Sequence, residues 1–358
     1  FFVTTTIPYQ AIASRYRLMS TLMESYLQAI EPLYVQPLQD FAHDISAPQL
    51  CFGIPLVYFA LTMGGYALMR FVDFHSKGSM VSALKGGKKM TPGRIISKIS
   101  SETFEVQFGD KSVEVLQKKD ISPNGFAPPD WFKSVYNLAQ VSLSVYCGIF
   151  GVPVVFDFIT HPFGVNLPMS ADAPMNKALH YCICVHFLSK FLDYVDTFLI
   201  IIGKKDKQLS VLHVYHHCSI SMVWGYLIFN NWAFGTVCFG AWINAVVHSI
   251  MYSYYGLTAA SINGRRLFNT KPFKPYVTSV QLTQFFLCIT HAIVVIVLEK
   301  AIPFSLGALQ FGYHCTMIAL FGQFFYENYY VNKSPKKSKA PQSEEKKPKK
   351  KKSMKAEE

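Results

Sequence analysis

The chain of 358 residues is 51% hydrophobic and 15% aromatic but only 16% charged, where soluble domains carry about a quarter, and its mean hydropathy is +0.21. That deficit excludes an ordinary soluble domain. The net charge of +12 is gathered into a few short stretches with no nucleic-acid motif beside it, so it reads as a membrane-surface feature and no nucleic-acid partner is expected.

The sequence opens on Phe1 rather than methionine, which leaves its true start open, and no signal peptide is visible in it. Residues 1–48 form a non-cytosolic segment in which YRLMSTLMESYLQAIEPLY predicts an interfacial amphipathic helix. A hydrocarbon core of ~30 Å takes about 20 helical residues. Seven apolar stretches meet that length, at 49–71, 135–159, 179–202, 211–230, 235–257, 278–299 and 306–330. The fourth and fifth are the most polar of the set.

The 72–134 connection after the first span is too long for a turn. Within it FEVQF and VEVL alternate around the turn GDKS, which predicts a small three-stranded β unit near 93–122, resembling an SH3-like or Tudor-like barrel. So few residues are marginal for independent folding. A structural insertion is the simpler reading, and binding or regulation the alternative.

Basic residues alternate strictly between loops. The 72–134 connection, the loop after span 3 (Lys204, Lys205, Lys207), the loop after span 5 (Arg265, Arg266, Lys271, Lys274) and the tail from Lys333 are rich in them. The intervening loops carry Lys177, none, and Lys300. This bias predicts a multi-pass membrane protein with its N-terminus outside the cytosol and its C-terminus inside. The tail 332–358 is low-complexity, lysine-rich and predicted to be disordered, held near anionic lipid or simply solvated. The eight cysteines all lie in apolar runs without a CxxC pair, so buried free thiols are expected.

Ionisable groups within spans are costly and usually mark function. Span 3 holds KFLDYVDT, in which Lys190, Asp193 and Thr197 share a helical face with Asp196 beside them. They can neutralise one another and orient an imidazole; a structural ion pair is the rival reading. Span 4 opens with SVLHVYHHCS, where His213, His216 and His217 follow i, i+3, i+4 spacing. A lone histidine there is usually a core residue, whereas three in five positions point to chemistry. In span 5, NAVVHSIMYSYY sets Asn244 one turn before His248, where an amide can fix the imidazole tautomer, with Met251, Tyr252 and Tyr255 continuing the face. In span 6, TSVQLTQFF carries Gln281 and Gln284, which alone would read as interhelical glue. The predicted orientation puts all four groups in the cytosolic half of the membrane, able to converge on one cavity.

HVYHH resembles one histidine box of membrane di-iron enzymes. Such sites draw ligands from several boxes, and His43, His75, His161, His180, His186, His248, His291 and His314 are scattered without forming a second one. No metal and no cofactor are expected. A seven-span transporter or receptor is a further alternative, but it calls for charges along a through-path rather than on one side.

KFLDYVDT, HVYHH, NAVVHSIMYSYY and TSVQLTQFF, in this order on successive spans, resemble the four signatures of the ELO family of very-long-chain fatty acid elongases, over roughly 131–331. Asp193 departs from the glutamate usual in that family. The resemblance implies an all-α membrane fold of seven transmembrane helices, six of them (135–331) enclosing a closed-ended acyl tunnel, with the β-rich cytosolic insertion between spans 1 and 2. It implies a 3-ketoacyl-CoA synthase of the endoplasmic reticulum membrane, N-terminus lumenal, that condenses acyl-CoA with malonyl-CoA and releases CO2 and CoA. His216 is by resemblance the candidate nucleophile, with a general-base role as the alternative. His248 assists decarboxylation. His213, His217 and Asn244 orient or exchange protons, and Lys190, Asp193 and Asp196 tune the imidazoles. Gln208 resembles the glutamine of the polyunsaturated-substrate branch, implying C18–C20 substrates. Tyr252, Tyr255, Gln281 and Gln284 are candidate substrate contacts. Lys204, Lys205, Lys207, Arg265 and Arg266 can attract the phosphates of CoA, although topology alone explains them. Implied partners are membrane lipid and the ketoacyl reductase, dehydratase and enoyl reductase that complete a cycle; a homo-oligomer is left open.

Overall fold

Prolines and capping groups set most helix boundaries. The computed structural model describes residues 9–71, 80–86, 89–123, 125, 128–155, 174–206, 208–262, 265–299 and 302–327. In chain order the helices are α1 (Tyr9–Ile30), α2 (Gln36–Ser46), α3 (Pro48–Phe71), α4 (Asp130–Gly151), α5 (Pro174–Leu192), α6 (Tyr194–Ile202), α7 (Val211–Phe229), α8 (Cys238–Ala259), α9 (Lys274–Val294) and α10 (Phe304–Tyr326). Proline stands in or just before the first turn of α2, α3, α4, α5, α9 and α10, where its missing N–H costs nothing. Ser210 caps α7, its hydroxyl accepting from the His213 N–H at 3.2 Å.

Three helical stretches, Pro48–Arg70, Lys271–Val297 and Phe304–Tyr326, are long and apolar enough to cross a membrane. The other four expected spans have helices at their places, 130–151, 174–202, 211–229 and 238–259. Their hydropathy is lowered by polar residues that the fold turns inward: Asn137, Gln140, His186, Lys190, Asp193, His217 and Asn244 are all buried. α1 covers the expected amphipathic stretch and anchors through Tyr26, whose hydroxyl donates to the Ile149 carbonyl at 2.6 Å.

Six helical rods close a ring. α4 packs on α5 and α8, α5 on α7, α7 on α10, α10 on α9, and α9 back on α8. α5 is the most enclosed, with every residue from Ala178 to Phe187 buried. α3 lies outside the ring against α6 and α7, and α2 lies on α5 and α7. Gly225 of α7 permits the α3 approach, since a Cβ there would sit 2.6 Å from the Cys51 Cβ.

The insertion is larger than the sequence suggests. Five strands, β1 (Met80–Lys85), β2 (Lys89–Lys98), β3 (Thr103–Phe108), β4 (Val113–Gln117) and β5 (Ile121–Pro123), pair antiparallel in the order β4-β3-β2-β1-β5. A 3-10 turn at Lys118–Asp120 precedes β5. β1 and β5 escape a periodicity reading because β5 is three residues long and β1 is continuous with the linker. Val81, Ala83, Ile95, Phe104, Val106, Phe108 and Ile121 form a separate small core. Lys85 bonds Asp110 across the sheet and holds that carboxyl well below the usual carboxylate range. The exit from the unit is pressed against α6: a Cβ on Gly125 would lie 2.2 Å from the Ile202 carbonyl oxygen. Arg265–Arg266 pairs with Ser261–Ile262 as a short β hairpin. The tail 332–358 lies outside the described residues.

Candidate active site

The predicted Lys190–Asp193–Thr197 face is interrupted, because the helix breaks at Asp193 between α5 and α6. Lys190 and Asp193 are each 1% exposed and joined at 3.1 Å. A buried ion pair survives only when further hydrogen bonds saturate it, and here they do. Lys190 Nζ also donates to Asn244 Oδ1 at 3.2 Å, and Asp193 Oδ1 accepts from Gln140 Nε2 at 3.0 Å. The Tyr252 hydroxyl stands 3.1 Å from Asp193 Oδ1 and 2.7 Å from Asp196 Oδ2, so it bridges the two carboxylates. Asn244 therefore spends its carbonyl on Lys190 rather than on fixing the tautomer of His248.

The imidazoles take other partners. His213 Nε2 lies 2.7 Å from Thr197 Oγ1, which lies 2.9 Å from the Tyr58 hydroxyl of α3. The expected orientation of an imidazole by carboxylates is thus replaced by a hydroxyl. The His217 ring centroid is 4.3 Å from that of His213 and 5.5 Å from that of His216. Its Nδ1 is buried and finds no partner among the described residues. His216 Nδ1 faces the Tyr313 hydroxyl of α10 at 3.3 Å. His248 meets Tyr252 edge-on at 5.6 Å.

A cavity lies among the ring helices. Its lining carries the polar residues His186, His216, Asn244, Gln284, Gln310, Tyr313 and His314. Apolar residues, including Ile220, Val223, Leu227, Phe285, Leu306 and Leu309, line the rest. An apolar lining with a few polar groups suits a chain-like substrate with a reactive head. Cys218, two residues past His216, points the other way, its thiol 3.6 Å from the Pro55 carbonyl of α3.

The fold thus brings Lys190, Asp193, Asp196, Asn244 and Tyr252 into one network and sets His213, His216 and His217 beside it. Gln284 lines the cavity, whereas Gln281 turns to Met251 Sδ at 3.1 Å. Tyr255 is 43% exposed and stacks edge-on against Tyr252. Lys204, Lys205 and Gln208 lie on the loop between α6 and α7. Lys205 is held below its ordinary pKa, first by burial of its ammonium and then by Lys133, with Asp196 opposing. Lys207 and the side chains of Arg265 and Arg266 lie outside the described residues. The sequence reading missed Gln140, Tyr58, Tyr313 and His186. Gln140 carried a signal, as an amide one turn after Asn137 in an apolar span, but single tyrosines among twenty gave none.

Residues 45–339 match the model of the GNS1/SUR4 family, ELO. "Fatty acid elongase 5" of Leishmania major is 39% identical over 191 residues, covering 53% of this chain and 70% of that protein. "Very long chain fatty acid elongase 2" of Mus musculus is 35% identical over 221 residues, 59% of this chain and 69% of its own length. "Very long chain fatty acid elongase 5" of Homo sapiens is 32% identical over 201 residues, 54% and 63% respectively.

Proposed function

The chain belongs to the GNS1/SUR4 family, and on that premise we propose that it is a fatty acid elongase that condenses a long-chain acyl-CoA with malonyl-CoA. The observation that carries the reading is the placement of His216 in the lining of a cavity among the ring helices, beside apolar residues such as Ile220, Val223, Leu227 and Phe285. The acyl chain lies along Ile220, Val223, Leu227 and Phe285, with the thioester at His216. His216 Nε2 attacks the thioester carbonyl, the C–S bond breaks, and CoA leaves with a proton. Malonyl-CoA then loses CO2, and its enolate carbon attacks the acyl-imidazole. The C–N bond breaks, freeing 3-ketoacyl-CoA, and a proton from water restores the neutral imidazole. His248, backed by Tyr252, stabilises the enolate. The Lys190–Asp193 pair and Asn244 fix the geometry around these rings, and no metal takes part.

Gln208 supports polyunsaturated C18–C20 substrates only by family likeness, so the product profile decides that point; a profile limited to saturated chains overturns it. The same reading makes the protein a seven-span component of the endoplasmic reticulum membrane. Its ketoacyl product must be reduced, dehydrated and reduced again by other enzymes.

Intact-protein mass spectrometry after incubation with acyl-CoA alone tests the scheme. An acyl adduct is expected on the parent protein and on His248→Ala, and none on His216→Ala. Cys218→Ala should keep most activity. An adduct on Cys218, or full activity without His216, overturns the covalent route.

A further inference from the structure

His43 and His180 are 137 positions apart in sequence, yet the fold sets their Nε2 atoms 2.9 Å apart. Cys184, one turn after His180 on α5, brings its Sγ to 3.5 Å from the same His180 nitrogen. The three ligand atoms all lie within 4.8 Å of one another. His180 and Cys184 are buried and His43 is half-buried, so the cluster opens to the surface on one side.

The tautomer of His180 follows from its neighbours. Its Nδ1 lies 3.0 Å from the Ala233 carbonyl oxygen, which can only accept. Nδ1 therefore carries the proton, and Nε2 presents its lone pair to His43 and Cys184. A carbonyl on one imidazole nitrogen with the other left free is the arrangement that orients metal-binding histidines. Phe234 stacks on the ring at 4.6 Å and fixes its plane.

We propose that His43, His180 and Cys184 form a binding site for a zinc-class cation, which clasps α2 to α5 and to the turn between α7 and α8. Ligand bonds of about 2.0–2.1 Å to imidazole and about 2.3 Å to thiolate in a tetrahedron place N and S roughly 3.6 Å apart and the two nitrogens roughly 3.3 Å apart. The His180–Cys184 separation already matches, the two imidazoles need to part by only a few tenths of an ångström, and His43 Nε2 and Cys184 Sγ, within 4.8 Å of each other, close to roughly 3.6 Å. On binding, Cys184 gives up its thiol proton to solvent and His43 moves its proton to Nδ1. Water takes the fourth position on the open side of His43. Imidazole and thiolate together select zinc over magnesium or calcium.

This site is separate from the Lys190–Asp193 pair: His180 precedes Lys190 by ten residues and Cys184 by six, about 15 Å and about 9 Å along a helix. It adjoins the cavity wall through the next turn: Phe234 leads into the 3-10 turn Gly235–Val237, and Val237 lines the cavity.

The test uses the full chain purified in detergent, stripped with chelator and titrated with Co2+. One equivalent should give a thiolate-to-cobalt charge-transfer band and tetrahedral visible bands, and Zn2+ should displace them. Cys184→Ser should lose the charge-transfer band. His43→Ala, at a half-buried position that tolerates truncation, should weaken cobalt binding by about 100-fold or more. His216→Ala should bind as the parent does. A parent protein without the band, a band unchanged in Cys184→Ser, unaltered affinity in His43→Ala, or loss of the band in His216→Ala each overturns the site. Chelation should leave condensation by the parent protein intact, which keeps this result separable from the catalytic proposal.

Discussion

Lys190 and Asp193 give up their hydration together, and each depends on the other for the charge it keeps. Removing one partner of such a pair leaves an unmatched buried charge at a cost of about 3–5 kcal/mol. Asp193→Asn should therefore lower unfolding stability by about 3 kcal/mol in detergent. The double variant Lys190→Met/Asp193→Leu should recover part of that loss while remaining inactive, because Gln140 retains Tyr136 and Tyr252 retains Asp196 as partners, whereas the buried Asn244 carbonyl loses Lys190 at a cost of about 1–3 kcal/mol. A double variant no more stable than Asp193→Asn would show that the pair is not the unit of stability. Tyr313 offers a second case at this scale. Its hydroxyl faces His216 Nδ1 at 3.3 Å, so Tyr313→Phe should lower kcat about tenfold, the equivalent of one hydrogen bond, with KM nearly unchanged. A change confined to KM would place Tyr313 in substrate binding instead.

Among the elements, the β insertion makes the sharpest prediction. Gly93 in β2 faces Val106 so closely that a Cβ would lie 2.6 Å from the valine methyl and 3.2 Å from the Gln107 carbonyl. Gly93→Ala should destabilise the insertion by about 1–3 kcal/mol through overpacking, read as faster proteolysis between residues 80 and 123. Condensing activity should persist, since the small core of the insertion contributes no residue to the cavity. The helices at the seven expected places were readable in sequence because apolar runs of about 20 residues are long signals. FEVQF and VEVL were readable because they alternate. β1 and β5, six and three residues long, were not, because their pairing is set by the tertiary fold. The break at Asp193 was hidden for a similar reason: the donors that saturate its carboxylate stand on α4 and α8, far away in sequence.

For the molecule as a whole, the loop charges predict a cytosolic C-terminus, and Asn332 in NKS tests it as the only N-x-S/T sequon of the chain. No glycan should form there in a eukaryotic membrane preparation; one that is removed by a glycosidase would invert the orientation. The convergence of four helical segments on one cavity was legible because each carries polar residues within an apolar run. The closing of the ring was not, since neighbour relations such as α7 with α10 join segments about ninety residues apart. The pairing of His43 with His180 was invisible for the same reason, and scattered histidines in a sequence are no guide to scattered histidines in space.

The contact from Tyr58 through Thr197 to His213 has a consequence for where protons sit. A threonine hydroxyl owns one hydrogen. When it is spent on His213 Nε2, the 2.9 Å contact to Tyr58 can be kept only with the tyrosine as donor. A helix that forms no part of the ring thus holds one end of a proton ledger whose other end is an imidazole of the histidine cluster, and phenylalanine at position 58 would erase that end while leaving every ring helix untouched.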